Sequence, residues 1–253
     1  SLPALLAGAK RVLLIVPDTT RTAPVSELVR LIEPRLADLG LRTEIMGALG
    51  THPPLPEQAL LRHLGVPDDG RLPPGYKGVR MMNHAWDDHS QLVKVGTLSP
   101  EDIASLTGGL MNEKVDLTLN RAIRNNDHLL ILGPVFPHEI AGFSGGSKYL
   151  FPGISGPEII DFFHWLGAVI TNLKVIGIPD NPVRRVLNAA AALVPMPVSA
   201  ISFVTHAGDL AFATAGPVVE SWRAAVEHSL RLHVVRKRRR FHRVLSCCPV
   251  MYE

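Results

Sequence analysis

The sequence predicts an α/β fold: a largely parallel central sheet flanked by helices, with its ligand edge at the carboxyl ends of the strands. Three observations carry that prediction. Short, almost wholly apolar runs such as RVLLIV (Arg11–Val16) and HLLILG (His128–Gly133) lack polar alternation, as strands buried on both faces do. Helical periodicity separates such runs, the pattern of strand–helix–strand units. Polar, Gly- and Pro-rich segments stand directly after them, where open parallel sheets bind ligands.

In chain order, the first strand ends at Pro17-Asp18, and Leu28, Val29, Ile32 and Leu36 give Val25–Leu39 a helical period. Pro34 should bend or interrupt that helix, and Gly40 suits its C-cap. A second strand, Arg42–Leu49, ends in Gly50-Thr51-His52-Pro53-Pro54, and Pro56–Leu64 reads as a short helix closed by Gly65. Asp68–Val79 has loop composition. Met81–His89 is polar and aromatic, and its His84 and His89 are five apart, a spacing that does not suit metal ligands on one helical face. Both read as surface or outer-layer residues. Gln91–Thr97, Val115–Asn120 and His128–Gly133 read as strands, the last central. Pro157 opens a helix at the position that favours proline. Leu173–Ile178 reads as a strand and Asn181–Leu193 as a helix. Val198–Thr205 and Leu210–Thr214 form an antiparallel pair turning at Gly208-Asp209, and Val218–Leu232 is an amphipathic helix. Arg243–Cys248 starts one more strand.

Length and composition set the frame. The chain has 253 residues, 46% apolar and 19% charged, enough for one large domain or a domain and part of another. Residues 1–235 are expected to form one α/β domain, and 236–253 a linker and the first strand of a truncated second domain. The chain opens at Ser1, without an initiator methionine, as expected of a fragment or processed chain. Net charge is +3 and the pI is near 9.0. The excess comes from one run, Arg236–Arg240, without which the balance turns slightly negative. Such a run reads as a solvated linker, so no nucleic-acid partner is expected. Adjacent Cys247 and Cys248 point to opposite faces of a strand, which disfavours a disulfide between them and suits a reducing, cytoplasmic setting. No apolar run is long enough to span a bilayer and no signal-peptide pattern is present, so no membrane partner is expected.

Candidate chemistry centres on FPHEIAGFSGGSKYLFPGISG (Phe136–Gly156). A Gly145-Gly146-Ser147-Lys148 loop after a strand allows backbone amides and an ammonium to approach an anion. Gly142–Gly146 matches the letters G-x-S-x-G, but a nucleophile elbow needs a strand directly before the serine and a helix directly after it. The apolar run instead ends at Gly133 and the next clear helix begins at Pro157. The same loop misses the phosphate-binding GxxxxGK[ST] pattern, because Ser147 replaces its second glycine and Tyr149 its Ser/Thr. Arg21 and His52 stand at strand carboxyl ends, where Arg21 suits a carboxylate or an ion pair with Asp18, and His52 acid–base work or a local turn. His138, Lys148 and His164 complete the set, with Asp161 placed one helical turn before His164 to orient its ring.

Together these segments resemble the N-terminal catalytic domain of the lactate racemase family. VPDTTR (Val16–Arg21), ALGTHPP (Ala48–Pro54), GPVFPHEIAGFSGGSKYLFPGISG and IGIPDNPVR (Ile176–Arg184) carry the resemblance. So do the spacings, with Lys148 ten residues after His138 and His164 sixteen after Lys148. The resemblance implies a racemase or epimerase of a lactate-like 2-hydroxy acid that works by hydride abstraction and return on a nickel-pincer nucleotide. It implies Lys148 as the covalent tether of that cofactor beside Gly145, Gly146 and Ser147, and His164 as the nickel ligand. It implies His52 and His138 as paired acid–base residues, and Arg21, supported by Asp18, as the carboxylate site. Cofactor-making enzymes are the implied partners, and the family's second, lid-like domain is expected beyond this chain. The alternative left open by the residues alone is a non-catalytic nucleotide- or phosphate-binding module using the Gly-Gly-Ser-Lys loop.

Overall fold

The computed structural model describes residues 2–20 and 23–235, with 243 and 245. Helix α1 (Leu2–Leu5) precedes strand β1 (Arg11–Pro17), in which every residue after Arg11 is buried. Helix α2 (Val25–Asp38) returns the chain to β2 (Arg42–Ala48), and α3 (Glu57–His63) leads toward β3 (Arg80–Asn83). Strands β4 (Leu92–Leu98) and β5 (Val115–Asn120) are joined through α4 (Pro100–Thr107), and β6 (His128–Pro134) re-enters the main sheet. The short pair β7 (Pro137–His138) and β8 (Gly142–Phe143) follows, then α5 (Pro157–Ile170) and α6 (Pro182–Ala192). Strands β9 (Val198–His206) and β10 (Asp209–Pro217) and helix α7 (Val218–His233) complete the order.

The main sheet has six strands in the order β10-β9-β6-β1-β2-β3. All neighbours are parallel except β9 and β10, so the predicted α/β class holds. Alternation along β1 sorts the core, since successive side chains leave opposite faces of a strand. Val12, Leu14 and Val16 join α2, α3 and Tyr76 on one face. Leu13 and Ile15 join α5, α6 and the β4–β5 ribbon on the other. Helix α7 closes a third cluster, laying Trp222, Ala225 and Val226 against Val135, Phe143 and Val204.

Several expectations change. Helix α2 runs through Pro34 without interruption. Strands β4 and β5 pair antiparallel with each other in a separate ribbon; inner positions of β5 are buried and alternate ones are not, the mark of one covered face. Strand β3 went unread because a four-residue edge strand with no buried position has no apolar run to show. Leu173–Ile178 is not a strand. Thr171 takes a positive φ of 74°, and Val175 N–H, Ile176 N–H and Ile178 N–H bond back within the segment, leaving Leu173 87% exposed. The basic run, the cysteine pair and the expected strand Arg243–Cys248, apart from Arg243 and Leu245, lie outside the described residues.

His84, expected near the surface, is 2% exposed. Its Nε2–H donates to the Ser155 carbonyl at 2.8 Å and its Nδ1 accepts from Asn120 at 3.2 Å, so the ring ties β5 to the segment before α5. Burial pushes its pKa down to about 4, because the charged ring loses its water. Burial likewise raises the Glu33 carboxyl on α2 to about 7, against a smaller opposing effect of the Thr43 hydroxyl.

The two groups pull stability in opposite directions. Between pH 4 and 6.5 the folded His84 binds fewer protons than the unfolded one, so stability rises with pH. Between pH 4.5 and 7 the folded Glu33 binds more, so stability falls with pH. Glu33→Gln removes the falling contribution, and its urea midpoint is expected to climb more steeply than wild type between pH 4.5 and 6.5. Parallel pH profiles would show that the Glu33 carboxyl is not held neutral in the fold.

Candidate active site

The chain leaves β1 toward β2 on one side and returns at β6 on the other, so the carboxyl ends of β1 and β6 frame a switch point. An open cleft with about 750 Å³ of empty space lies there. Asp18 enters it from the end of β1 and Leu49 to His52 from the end of β2. His138, Gly145 and Lys148 come from the loop after β6, and Phe163 and His164 from α5. Six of the nine candidate residues therefore meet in one cleft.

Asp18 is buried, and its Oδ1 accepts the Thr20 N–H at 3.2 Å and the Thr20 hydroxyl at 2.6 Å. Its Oδ2 faces His52 Nδ1. The side chain of His52 is 46% exposed and that of Asp18 only 6%. A carboxylate fixed by two donors and a half-open imidazole form an oriented pair, the ring's other nitrogen left toward the cleft.

His138 is held by the chain that follows it. The backbone N–H groups of Ile140 and Ala141 donate to its Nδ1 at 3.1 and 3.3 Å, and the ring is 4% exposed. Glu139, beside it on the cleft wall, brings Oε2 to 3.6 Å from the same nitrogen, too far for a hydrogen bond.

His164 projects from α5. Its Nδ1–H donates to the Ile160 carbonyl one turn earlier at 2.7 Å, which leaves the lone pair on Nε2. Asp161, expected to orient this ring, makes no such bond; helical side chains lean toward the N-terminus, and the i−4 carbonyl lies closer to that path. Phe163 meets the His164 ring edge-on at 5.0 Å, and Lys148 Nζ stands 5.9 Å from the Phe163 ring centre.

Gly146 and Ser147 are placed elsewhere. The Ser147 hydroxyl donates to Asn188 on α6 at 2.9 Å, and Gly146 abuts Trp222 of α7, where an added Cβ would lie 2.9 Å from the indole. The same indole lies 3.3 Å from where a Cβ on Gly145 would stand. Arg184 lies over the same indole at 4.2 Å. It donates to the carbonyls of Gly145, at 3.1 Å, and Phe143, while the Trp222 N–H donates to Ser144 at 2.8 Å. Full burial pushes the Arg184 guanidinium down to about 9. This clamp escaped sequence reasoning. Arg184 closes the IGIPDNPVR segment, the one available signal; Trp222 sits in an ordinary amphipathic pattern and had none. Phe163 was hidden in an apolar helix face. Arg21 lies outside the described residues.

Glycine at 142 is required by space as well as by φ. Its φ is +79°, and a Cβ there would lie 2.0 Å from the Ile178 carbonyl; Gly8 has φ +86° with nothing within 4 Å. Both substitutions to alanine carry the left-handed strain of about 1 kcal/mol. Gly142→Ala is expected to cost at least about 2 kcal/mol more than Gly8→Ala in chemical denaturation; equal losses would mean that the loop yields freely.

The geometry can be set beside known proteins. Residues 1–177 match the lactate racemase N-terminal domain. The lactate racemase of Lactiplantibacillus plantarum is 27% identical over 161 residues, 63% of this chain and 33% of that protein. A Thermotoga maritima protein solved by the Northeast Structural Genomics Consortium superposes with a TM-score of 0.79 at 26% identity, over 92% of this chain and 57% of that one. The lactate racemase apoprotein of Thermoanaerobacterium thermosaccharolyticum gives 0.70 at 22% identity, over 91% and 51%. This chain therefore spans about a third of the curated relative and about half of each solved one. On the match over residues 1–177, the chain belongs to the lactate racemase N-terminal domain family.

Proposed function

We propose that this chain is the cofactor-bearing part of a racemase or epimerase of a 2-hydroxy acid. One observation carries the reading: Asp18, His52, His138, Lys148 and His164 converge from four separate segments on a single cleft at the switch point. Residues that served only as caps and turns would have no cause to meet there.

The cleft fits a tethered, metal-bearing group. A metal-bound histidine ordinarily donates its other ring N–H to a carbonyl or carboxylate, and the Ile160 carbonyl holds His164 in that state. Among the described residues no three His, Cys, Asp or Glu side chains gather as a metal site, so a metal at His164 would draw its remaining donors from the bound group. A nickel-pincer nucleotide supplies, when bound, reversible two-electron chemistry at the substrate α-carbon. Lys148 would hold it covalently and His164 would ligate its metal. Arg21 would take the substrate carboxylate as a planar fork. The Asp18–His52 pair and His138 would face the hydroxyl, where imidazole rings can take and return a proton.

The phosphate-module reading finds less support. The Ser147 hydroxyl, the side-chain donor of that loop besides Lys148, is spent on Asn188, and a phosphate module would leave the Asp18–His52 pair and His164 without a task.

Intact-mass and metal analysis test the proposal. Produced together with cofactor-making enzymes, the protein is expected to carry a mass addition that maps to Lys148 and stoichiometric nickel. Lys148→Ala should lose the adduct, and His164→Ala should keep the adduct but lose the nickel. A wild-type protein with neither adduct nor nickel would sink the reading.

A further inference from the structure

Glu139 stands on the cleft wall beside His138. We infer that it determines specificity: it restricts the cleft to 2-hydroxy acids with a single carboxylate and an uncharged side chain, and turns away those with a second carboxylate. The inference rests on the racemase reading and names the substrate class of that same site.

The position of Glu139 is fixed by the chain around it. Residues 139–141 form the tip between β7 and β8, whose register pairs His138 with Gly142. The N–H groups of Ile140 and Ala141 turn back to His138 Nδ1, and the Ala141 carbonyl accepts from the Asn181 amide at 3.2 Å. Ile140 packs on α5 at Gly167, where an added Cβ would lie 2.5 Å from the isoleucine side chain. Glutamate on such a tip has its backbone set before a ligand arrives, so little ordering is left for binding to impose. Its side chain is 62% exposed and lines the cleft.

Charge decides what this carboxylate tolerates. Among the described residues that line the cleft, Lys148 carries the one ammonium, there is no arginine, and the carboxylates are Asp18 and Glu139. Asp18 stands against His52 and takes two bonds from Thr20. No lysine or arginine among the described residues pairs with Glu139, and its Oε2 lies 3.6 Å from His138 Nδ1. As the cofactor tether, Lys148 has its nitrogen bonded to that group, and Arg21, as a planar fork, holds one substrate carboxylate. A second carboxylate then meets no described cation and shares the cleft with Glu139. Between the limits for like charges in water and at a protein surface, that repulsion amounts to about tenfold in binding. A methyl side chain meets no such penalty. Because Glu139 is open to solvent, dissolved salt reaches it and weakens the effect.

Lactate and malate are both 2-hydroxy acids and differ in the second carboxylate, so the pair tests the filter. In protein produced together with cofactor-making enzymes, the ratio of kcat/KM for lactate to that for malate is expected to fall at least about tenfold in Glu139→Gln, which keeps the shape and loses the charge. The wild-type ratio should also shrink as salt rises from about 0.02 to about 0.5 M, and the variant ratio should not. A wild type that prefers malate, a ratio unchanged by the substitution, or equal salt dependence in both proteins would overturn the inference. Dissociation constants for the two acids, from NMR titration, supply a second ratio that needs no turnover. A wild type that racemises neither acid counts against the functional reading, and the binding ratio then decides the role of Glu139. Weaker binding of malate than of lactate, with the gap closing in Glu139→Gln, supports it; equal binding, or binding of neither acid, overturns it.

Discussion

The site depends on a buried guanidinium. Arg184 has no carboxylate partner among the described residues; it is stabilised by the Trp222 ring and by the carbonyls of Phe143 and Gly145. Burying a charge this way costs desolvation, visible in the fall of its pKa to about 9, and is tolerated when the charge is hydrogen-bonded. What it secures is the path of residues 143–145. Those three residues stand between His138 and Lys148, so the separation of these two side chains in space follows from where Arg184 and Trp222 hold the loop. Glycine at 142 and 146 permits the approach, because a Cβ at either would meet Ile178 or the indole.

Around that loop the sheet does the gathering. Parallel strands end on a common edge, so side chains far apart in the chain, at 18, 52 and 138, reach one cleft without long connections. The helix dipole, metals and phosphates are not needed to explain this convergence; topology suffices. The chemistry then rests on second partners. An Asp18 carboxylate, two backbone amides and a backbone carbonyl each claim Nδ1 of a different histidine. Three chemically identical side chains thereby line one cleft with different partners at Nδ1.

Membership of the lactate racemase N-terminal domain family and the cleft geometry bear on one another. The family match covers residues 1–177, and Asp18, His52, His138, Lys148 and His164 all lie within it. The Arg184–Trp222 clamp lies beyond it, on α6 and α7. The last part of the described chain therefore belongs to the same working unit as the first, since it supports the loop from behind.

Much of this was legible in the residues. Uninterrupted apolar runs marked β1 and β6, period 3.6 marked α2, α5, α6 and α7, and strand ends pointed to Asp18, His52 and the loop after β6, because burial and periodicity are written locally. Edge strand β3 was invisible for want of an apolar run, and Leu173–Ile178 misled because Leu173, Ile176 and Ile178 are exposed and only Val175 is buried, in a turn that follows the positive φ of Thr171. The sequence by itself determined the fold class and which residue types were available for chemistry. Only the tertiary structure decided that the Ser147 hydroxyl is taken by Asn188, that Trp222 packs against Gly146, and which group stands at Nδ1 of each cleft histidine. Those outcomes depend on atoms brought together from distant segments, and a one-dimensional pattern holds no record of such distances.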